Sequence, residues 1–423
     1  MDLLIKNAKI IDRTSSFHLK QTDVLIKGGK IEKINPSIDG KSIKTIEAKG
    51  LHLSKGWIDL NVNYQDPGDE QKENFKTGLF ASASGGFTRV CVAPNTYPTR
   101  DSKSQIEYLI NQTKGNIVDA MPYGAISKNC EGKELAELND MKQSGAVAFS
   151  DGKLSIKNPN LLYRALRYTK AFDGLVVNFP NTAALCEEGV MNEGATSTRL
   201  GLKGIPEVAE VMMVNRDLYL LDYADGRLHF ATISSPESLQ LIKKAKKDGF
   251  KVSCDVASYN LLLSDEELVE FDSRFKTLPP LRSKSSIKQL IKGIKDGLVD
   301  AICSDHLPED IEQKKKELDY AAFGIINAQT AFSCAHTALE NHISIEALIE
   351  LFTEGPASIL KLKTPSIEVG ETANLTLFSP SEKFVFSKDQ VLSKSFNSPF
   401  FGMELKGKVL GVINNKQVFL NKG

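Results

Sequence analysis

Six residues in or just after apolar runs of strand length carry polar side chains where a strand end could do chemistry. Asn61 and Asn63 alternate along the run 57–63, so that on a strand both point to one side. Asp151 follows the run 145–149, Asn178 closes 175–178, Thr232 lies in 228–233, and Asp305, next to His306, follows 300–303. Two imidazoles at the Asn61/Asn63 alternation would each give zinc a lone pair. Carboxamide oxygens are far weaker donors to zinc and suit calcium or magnesium better. A single carboxylate such as Asp151 does not hold zinc unaided, and Asp305 serves as a general base only toward a water already acidified by metal.

The histidine inventory is short: His18, His52, His229, His306, His336 and His342. The first two fall in an N-terminal β segment and the last two near a late helix, which leaves His229 and His306 at the ends of the middle runs. A lone histidine on an apolar strand, as His229 is, reads as a satisfied core side chain. No nucleophilic triad, phosphate-cradling glycine loop or Cys-His pair stands out. The six cysteines (91, 130, 186, 254, 303 and 334) form no CxxC pair and mostly sit in apolar runs, as buried reduced thiols do.

These residues need a scaffold, and the pattern supplies one. From 55 to 362 apolar runs of strand length (57–62, 89–93, 146–149, 175–178, 228–233, 251–256 and 300–303) alternate with helical periodicity such as 236–248 and 285–297. Seven or eight such units over about 300 residues predict a (β/α)8 barrel, whose chemistry sits at the C-terminal strand ends. Residues 1–54 and 363–423 read instead as short strands and turns, with Gly28-Gly29 a hairpin turn, and are expected to pair into one small β-sandwich. The stretch 309–319, rich in Lys and Glu, is expected to be a solvated loop or lid. With 53 basic and 53 acidic side chains the net charge is zero, which gives no field for nucleic acid or anionic membrane. No apolar run approaches the ~20 residues of a membrane span and the N-terminus has no basic leader, so the expectation is a cytoplasmic protein.

Several of these strand ends carry a resemblance. The frame of 56–60, Asp66-Pro67-Gly68, Glu73, Thr77-Gly78 and Gly85-Gly86-Phe87-Thr88 is similar to the first barrel unit of dihydroorotases, in the amidohydrolase superfamily. Pro94-Asn95-Thr96, the long run from Met191 through Arg199, Pro206 and Glu210 to Asp217, Pro279-Pro280-Leu281-Arg282 and Asp305-His306-Leu307-Pro308 resemble the same family. The resemblance implies substrate contact for Asn95 and His306, a metal-bridging position for Asp151, and the metal-ligand and general-base position for Asp305. It also marks what has changed. Asn61 and Asn63 stand where the family has His-x-His, Gln65 where it has arginine, Asn178 and Thr232 at two further metal-binding histidines, Tyr259-Asn260 at a His-His pair, and Leu278 at a substrate-contacting asparagine.

The expectation that follows is a homologue without resident zinc, catalytically silent, acting in pyrimidine (UMP) biosynthesis as a structural partner of aspartate carbamoyltransferase in a homo- or hetero-oligomer. Two alternatives stay open. One is an active dihydroorotase or related cyclic amidase with an unusual metal held by Asp151, Asp305 and the carboxamides. The other is a small-molecule sensor with a pocket around Asn95 and Asp305.

Overall fold

The computed structural model describes residues 2–40 and 43–422; residues 1, 41, 42 and 423 of the expected β unit lie outside it. Eight strands, Trp57–Val62, Phe87–Val92, Asp119–Gly124, Ala148–Phe149, Val176–Asn178, Leu228–Phe230, Val252–Ala257 and Ala301–Cys303, lie side by side in chain order. Every neighbouring pair is parallel. A parallel bridge between Val62 and His306 joins last strand to first. This is the (β/α)8 barrel that the alternation predicts.

The third barrel strand is absent from the sequence-based list because Pro122 sits inside it, and a proline ordinarily argues against a central strand. The sheet tolerates it, with the Pro122 carbonyl accepting from the Val147 amide at 3.0 Å.

The two ends of the chain form one hydrogen-bonded sheet. Leu375–Val385 pairs antiparallel with His52–Lys55, which pairs parallel with Asp2–Ile11, so the strands after the barrel are sewn to those before it. Trp57 marks the junction with the barrel: fully buried, it packs against Phe332, Phe352 and Phe378 while its indole N–H donates to Ser54 Oγ at 2.9 Å. All six cysteines are free; five are buried and Cys186 is partly exposed.

The loop 309–319 is less solvated than expected. It contains the short helix Ile311–Lys314, and Lys314 is buried, its ammonium donating to the carbonyls of Ala322 at 2.8 Å and Gly324 at 3.1 Å. Lys276, also buried, donates to the carbonyl of Leu318 at 2.6 Å. Among the described residues no helix is long and apolar enough to cross a membrane.

Candidate functional site

The C-terminal ends of the barrel strands converge on Asp305, at the end of the last one. Its carboxylate accepts from Asn61 Nδ2 at 2.6 Å and from Tyr259 Oη at 2.5 Å. Lys153 Nζ lies 2.7 Å from Oδ1 and 2.8 Å from Oδ2. The same ammonium donates to Thr232 Oγ1 at 3.1 Å and stands 4.6 Å above the ring of Phe179. Burial and the Asp305 charge push the Tyr259 phenol well above its usual pKa, which keeps it a donor. A charge that a metal could have balanced is balanced here by an ammonium, an amide and a phenol. Little space remains around them: a cavity of about 10 Å³ lined by Asn61, Gly152, Lys153, Phe179 and Thr232, room for about one water.

Two of these residues have left-handed backbones, Asp305 with φ 50° and Thr232 with φ 54°. For a β-branched threonine that conformation is an outlier, costing about 1–2 kcal/mol. It lets the Thr232 amide reach Asp255 Oδ1 at 2.6 Å while the hydroxyl turns to Lys153.

The other strand-end residues face elsewhere. Asp151 accepts from the amides of Ile126 and Ser127 at 2.8 and 3.0 Å and from Ser127 Oγ at 2.5 Å. Asn178 Nδ2 donates to Asp217 at 2.6 Å, and Asn63 Oδ1 accepts from the Gln65 amide at 3.1 Å. Asn95 donates to the Asp151 carbonyl at 3.0 Å and packs so closely on Gly152 that a Cβ there would lie 1.7 Å from Asn95 Oδ1. His229 bridges Ser253 Oγ at 2.8 Å and Asp255 Oδ2 at 3.0 Å within the barrel.

His306 accepts through Nδ1 from the amides of Asn327 and Ala328, so its proton is on Nε2, 3.5 Å from Glu73 Oε2. Burial acts to raise the Glu73 carboxyl, but His306 together with Ser393 and Thr77 holds it below the usual range. Asp59, within the first strand, is raised by burial to about 7 despite donors from Ser304 and Asn61.

A family model described as dihydro-orotase-like matches residues 50–238. A dihydroorotase from Thermoanaerobacter sp. (strain X514) is 40% identical over 413 residues, 97% of this chain and 95% of that one. Another, from Acetivibrio thermocellus, is 37% identical over 424 residues, covering 99% of each chain. This chain belongs to the dihydroorotase family. Among solved structures, the L-hydantoinase (dihydropyrimidinase) of Arthrobacter aurescens superposes on 100% of this chain and 96% of its own with TM-score 0.86 at 24% identity. A D-hydantoinase does so with TM-score 0.84 at 22% identity. At such identity these likenesses establish the barrel and its flanking sheet, not an activity.

Of the family's metal-associated positions, Asn61 bonds Asp305 directly and Thr232 is linked to it through Lys153. The residues present do not fit zinc. Among the described residues no three His, Cys, Asp or Glu side chains are grouped to hold a metal ion. A zinc ion on Asp305 would also lie against the ammonium already on both its oxygens, an unfavourable contact of like charges.

Lys153 and Tyr259 escaped the sequence reading as site residues. Tyr259 had a signal, since it stands at a histidine position of the family motif. Lys153 had little beyond its place two residues after Asp151, where Gly152 turns with φ +61°. The run that selects the family is held by Arg282, buried, which donates to Ser234 Oγ and Asn192 Oδ1 at 2.9 Å each and lies 3.4 Å from Glu210. Leu278, at the position of a substrate-contacting asparagine in the family motif, faces a cavity of about 10 Å³.

Proposed function

We propose that this protein serves pyrimidine (UMP) biosynthesis as a zinc-free, catalytically silent dihydroorotase homologue whose working role is structural, as a partner of aspartate carbamoyltransferase. The observation that carries the silent reading is Lys153 on both oxygens of Asp305. Opening or closing an unactivated cyclic amide at neutral pH needs a polarised carbonyl and a strong nucleophile, and in this superfamily metal supplies both. Asp305 is the family's general base, and here it is occupied by three donors at once. A water beside it would meet a carboxylate whose lone pairs are taken. The histidines of the family's metal site are replaced by Asn61, Asn63, Asn178 and Thr232. The partner rests on the resemblance: inactive homologues of this kind accompany aspartate carbamoyltransferase in some bacteria.

The test is elemental analysis of protein purified without a metal-affinity tag, paired with a dihydroorotate hydrolysis assay with and without added zinc. The expected result is metal below about a tenth of an equivalent and no turnover in either condition. Stoichiometric metal with turnover would overturn the silent reading. For the partner, the chain and the carbamoyltransferase of the same organism should co-elute as one complex on size exclusion; separate elution at micromolar concentrations removes that part.

A further inference from the structure

Ser253 and Asp255 stand two residues apart on the barrel strand Val252–Ala257, so their side chains point to one side of it. His229, on the neighbouring parallel strand, is in register with Ser253. Its ring bridges the two, with Nδ1 2.8 Å from Ser253 Oγ and Nε2 3.0 Å from Asp255 Oδ2. A carboxylate only accepts, which puts the ring proton on Nε2 and leaves Nδ1 to accept from the serine hydroxyl. The other carboxylate oxygen is held in place by the Thr232 amide at 2.6 Å. Hydroxyl, imidazole and carboxylate linked in this order are the parts of an activated nucleophile, known by their geometry and not by their order in the chain. The commoner arrangement turns Nε2 to the serine; here the two ring nitrogens exchange places, and either can act as base.

The serine opens on space. His229 and Asp255 are buried, whereas Ser253 is half-buried and lines a cavity of about 760 Å³, within the size range of small-molecule sites. Leu175, Arg227 and Asp300, each one residue ahead of its barrel strand, also line it. The cavity therefore lies at the base of the barrel, at the end away from Asp305. We propose that Ser253, His229 and Asp255 form a second, nucleophilic site there, which cleaves small carboxylic esters that carry a further acid group.

The lining selects that class. Phe250, Ile294, Leu351 and Ile359 give the cavity apolar wall. Most of its charges are already matched: Arg13 with Glu350, Lys251 with Asp225, Asp300 with Lys246 and Glu354 with Lys55. Arg227 donates to the carbonyls of Asp173 and Ile359. Lys295, exposed on the cavity rim, has no ion-pair partner among the described residues. An apolar ester with an acid group at one end meets both the wall and this ammonium. In the reaction Ser253 Oγ adds to the ester carbonyl carbon while its proton passes to His229 Nδ1. The bond to the alcohol oxygen then breaks, and the alcohol leaves with that proton. Water adds to the acyl-serine by the same route, giving its proton to Nδ1, and the carboxylic acid departs as Oγ takes the proton back. Asp255 holds the ring and balances the imidazolium formed in each half.

The site shares no reacting group with the mouth, so the inference goes beyond the functional proposal and stands whatever the metal and dihydroorotate assays give. The full chain should be assayed with two esters of matched length, 4-nitrophenyl hydrogen succinate and 4-nitrophenyl butyrate. It should prefer the succinate ester, and Ser253→Ala, with an unchanged circular dichroism spectrum, should lower cleavage of both about tenfold or more. Peptide mass spectrometry of the acid-quenched parent chain should find the succinyl group on Ser253, which decides the matter without any variant. His229→Gln should abolish that acylation, and Lys295→Met should remove the preference for the succinate ester. Equal cleavage by the parent chain and Ser253→Ala, or an acyl group on other residues but not on Ser253, would overturn the site. A preference absent from the parent chain, or unchanged in Lys295→Met, would overturn the substrate class.

Discussion

At the scale of single residues, the pair Lys153–Asp305 decides what the barrel mouth is. Asp305 is nearly buried and Lys153 about one-fifth exposed, so removing either leaves the other poorly solvated and without its ion-pair partner. Lys153→Met leaves the carboxylate with only Asn61 and Tyr259, and should destabilise the fold by about 2–3 kcal/mol, below the range for a fully buried pair because Lys153 reaches solvent. Asp305→Asn strands the ammonium at a similar cost. The double substitution should recover most of the loss, since removing both charges leaves none unpaired. A double-mutant cycle by urea denaturation checks this, and simple additivity of the two losses would mean that the ion pair contributes nothing. The candidate site was only partly legible in the sequence for the same reason. Asp305, Asn61 and Thr232 could be named because they stand at metal-associated positions of the family motifs that the sequence resembles. Lys153 could not, because its long side chain reaches the mouth from a turn, and no periodicity encodes where a flexible side chain ends.

At the scale of elements, the fold was legible wherever burial imposes a period. Trp57–Val62 lies where the alternation puts it, because a strand between two packed layers has no freedom in register. Asp119–Gly124 was hidden because its proline obeys a local rule that the surrounding sheet overrides. The closing of the barrel base was illegible, since it depends on contacts between distant segments. There Ile58 and Ile302 donate to the carbonyls of Phe352 and Leu351 at 2.8 and 3.0 Å, and the helix Glu354–Leu360 then passes under the last strand. The passage is so close that a Cβ on Gly355 would lie 1.9 Å from the Asp300 carbonyl oxygen. A backbone atom does not yield as a side chain does, so Gly355→Ala should cost about 1–3 kcal/mol, read as a lower urea midpoint at unchanged slope. Ser358→Ala, on the exposed side of the same helix, should stay within about 0.5 kcal/mol. Equal effects would mean that the helix, not the close approach, sets the cost.

At the scale of the whole molecule, buried titratable groups of opposite kinds shape the response to pH. Burial raises Asp59 to about 7, and raises Asp217 to about 6 against the pull of Arg216 and Asn178. Both therefore hold protons in the folded chain that the unfolded chain has released, and the stability they contribute at low pH is lost as pH rises from about 4 to about 7. Burial lowers Lys314 to about 7 and Lys276 to about 8. In that range the unfolded chain keeps protons that the folded one sheds, so stability rises with pH from about 7 toward 10. The carboxylate of Glu73, held below its usual range, acts only at the acid edge of this window. The two trends meet near neutrality. Thermal midpoints should therefore pass through a shallow minimum around pH 7, with higher values near pH 5.5 and pH 9, where many proteins show their maximum instead. Asp59→Asn should flatten the acid limb alone and Lys314→Met the alkaline limb alone, because the two groups sit in separate parts of the barrel mouth and its flanking loop. A single maximum at neutral pH in the unsubstituted chain would mean that these four groups are not buried in solution as they are here, and that the loop 309–325 stands open.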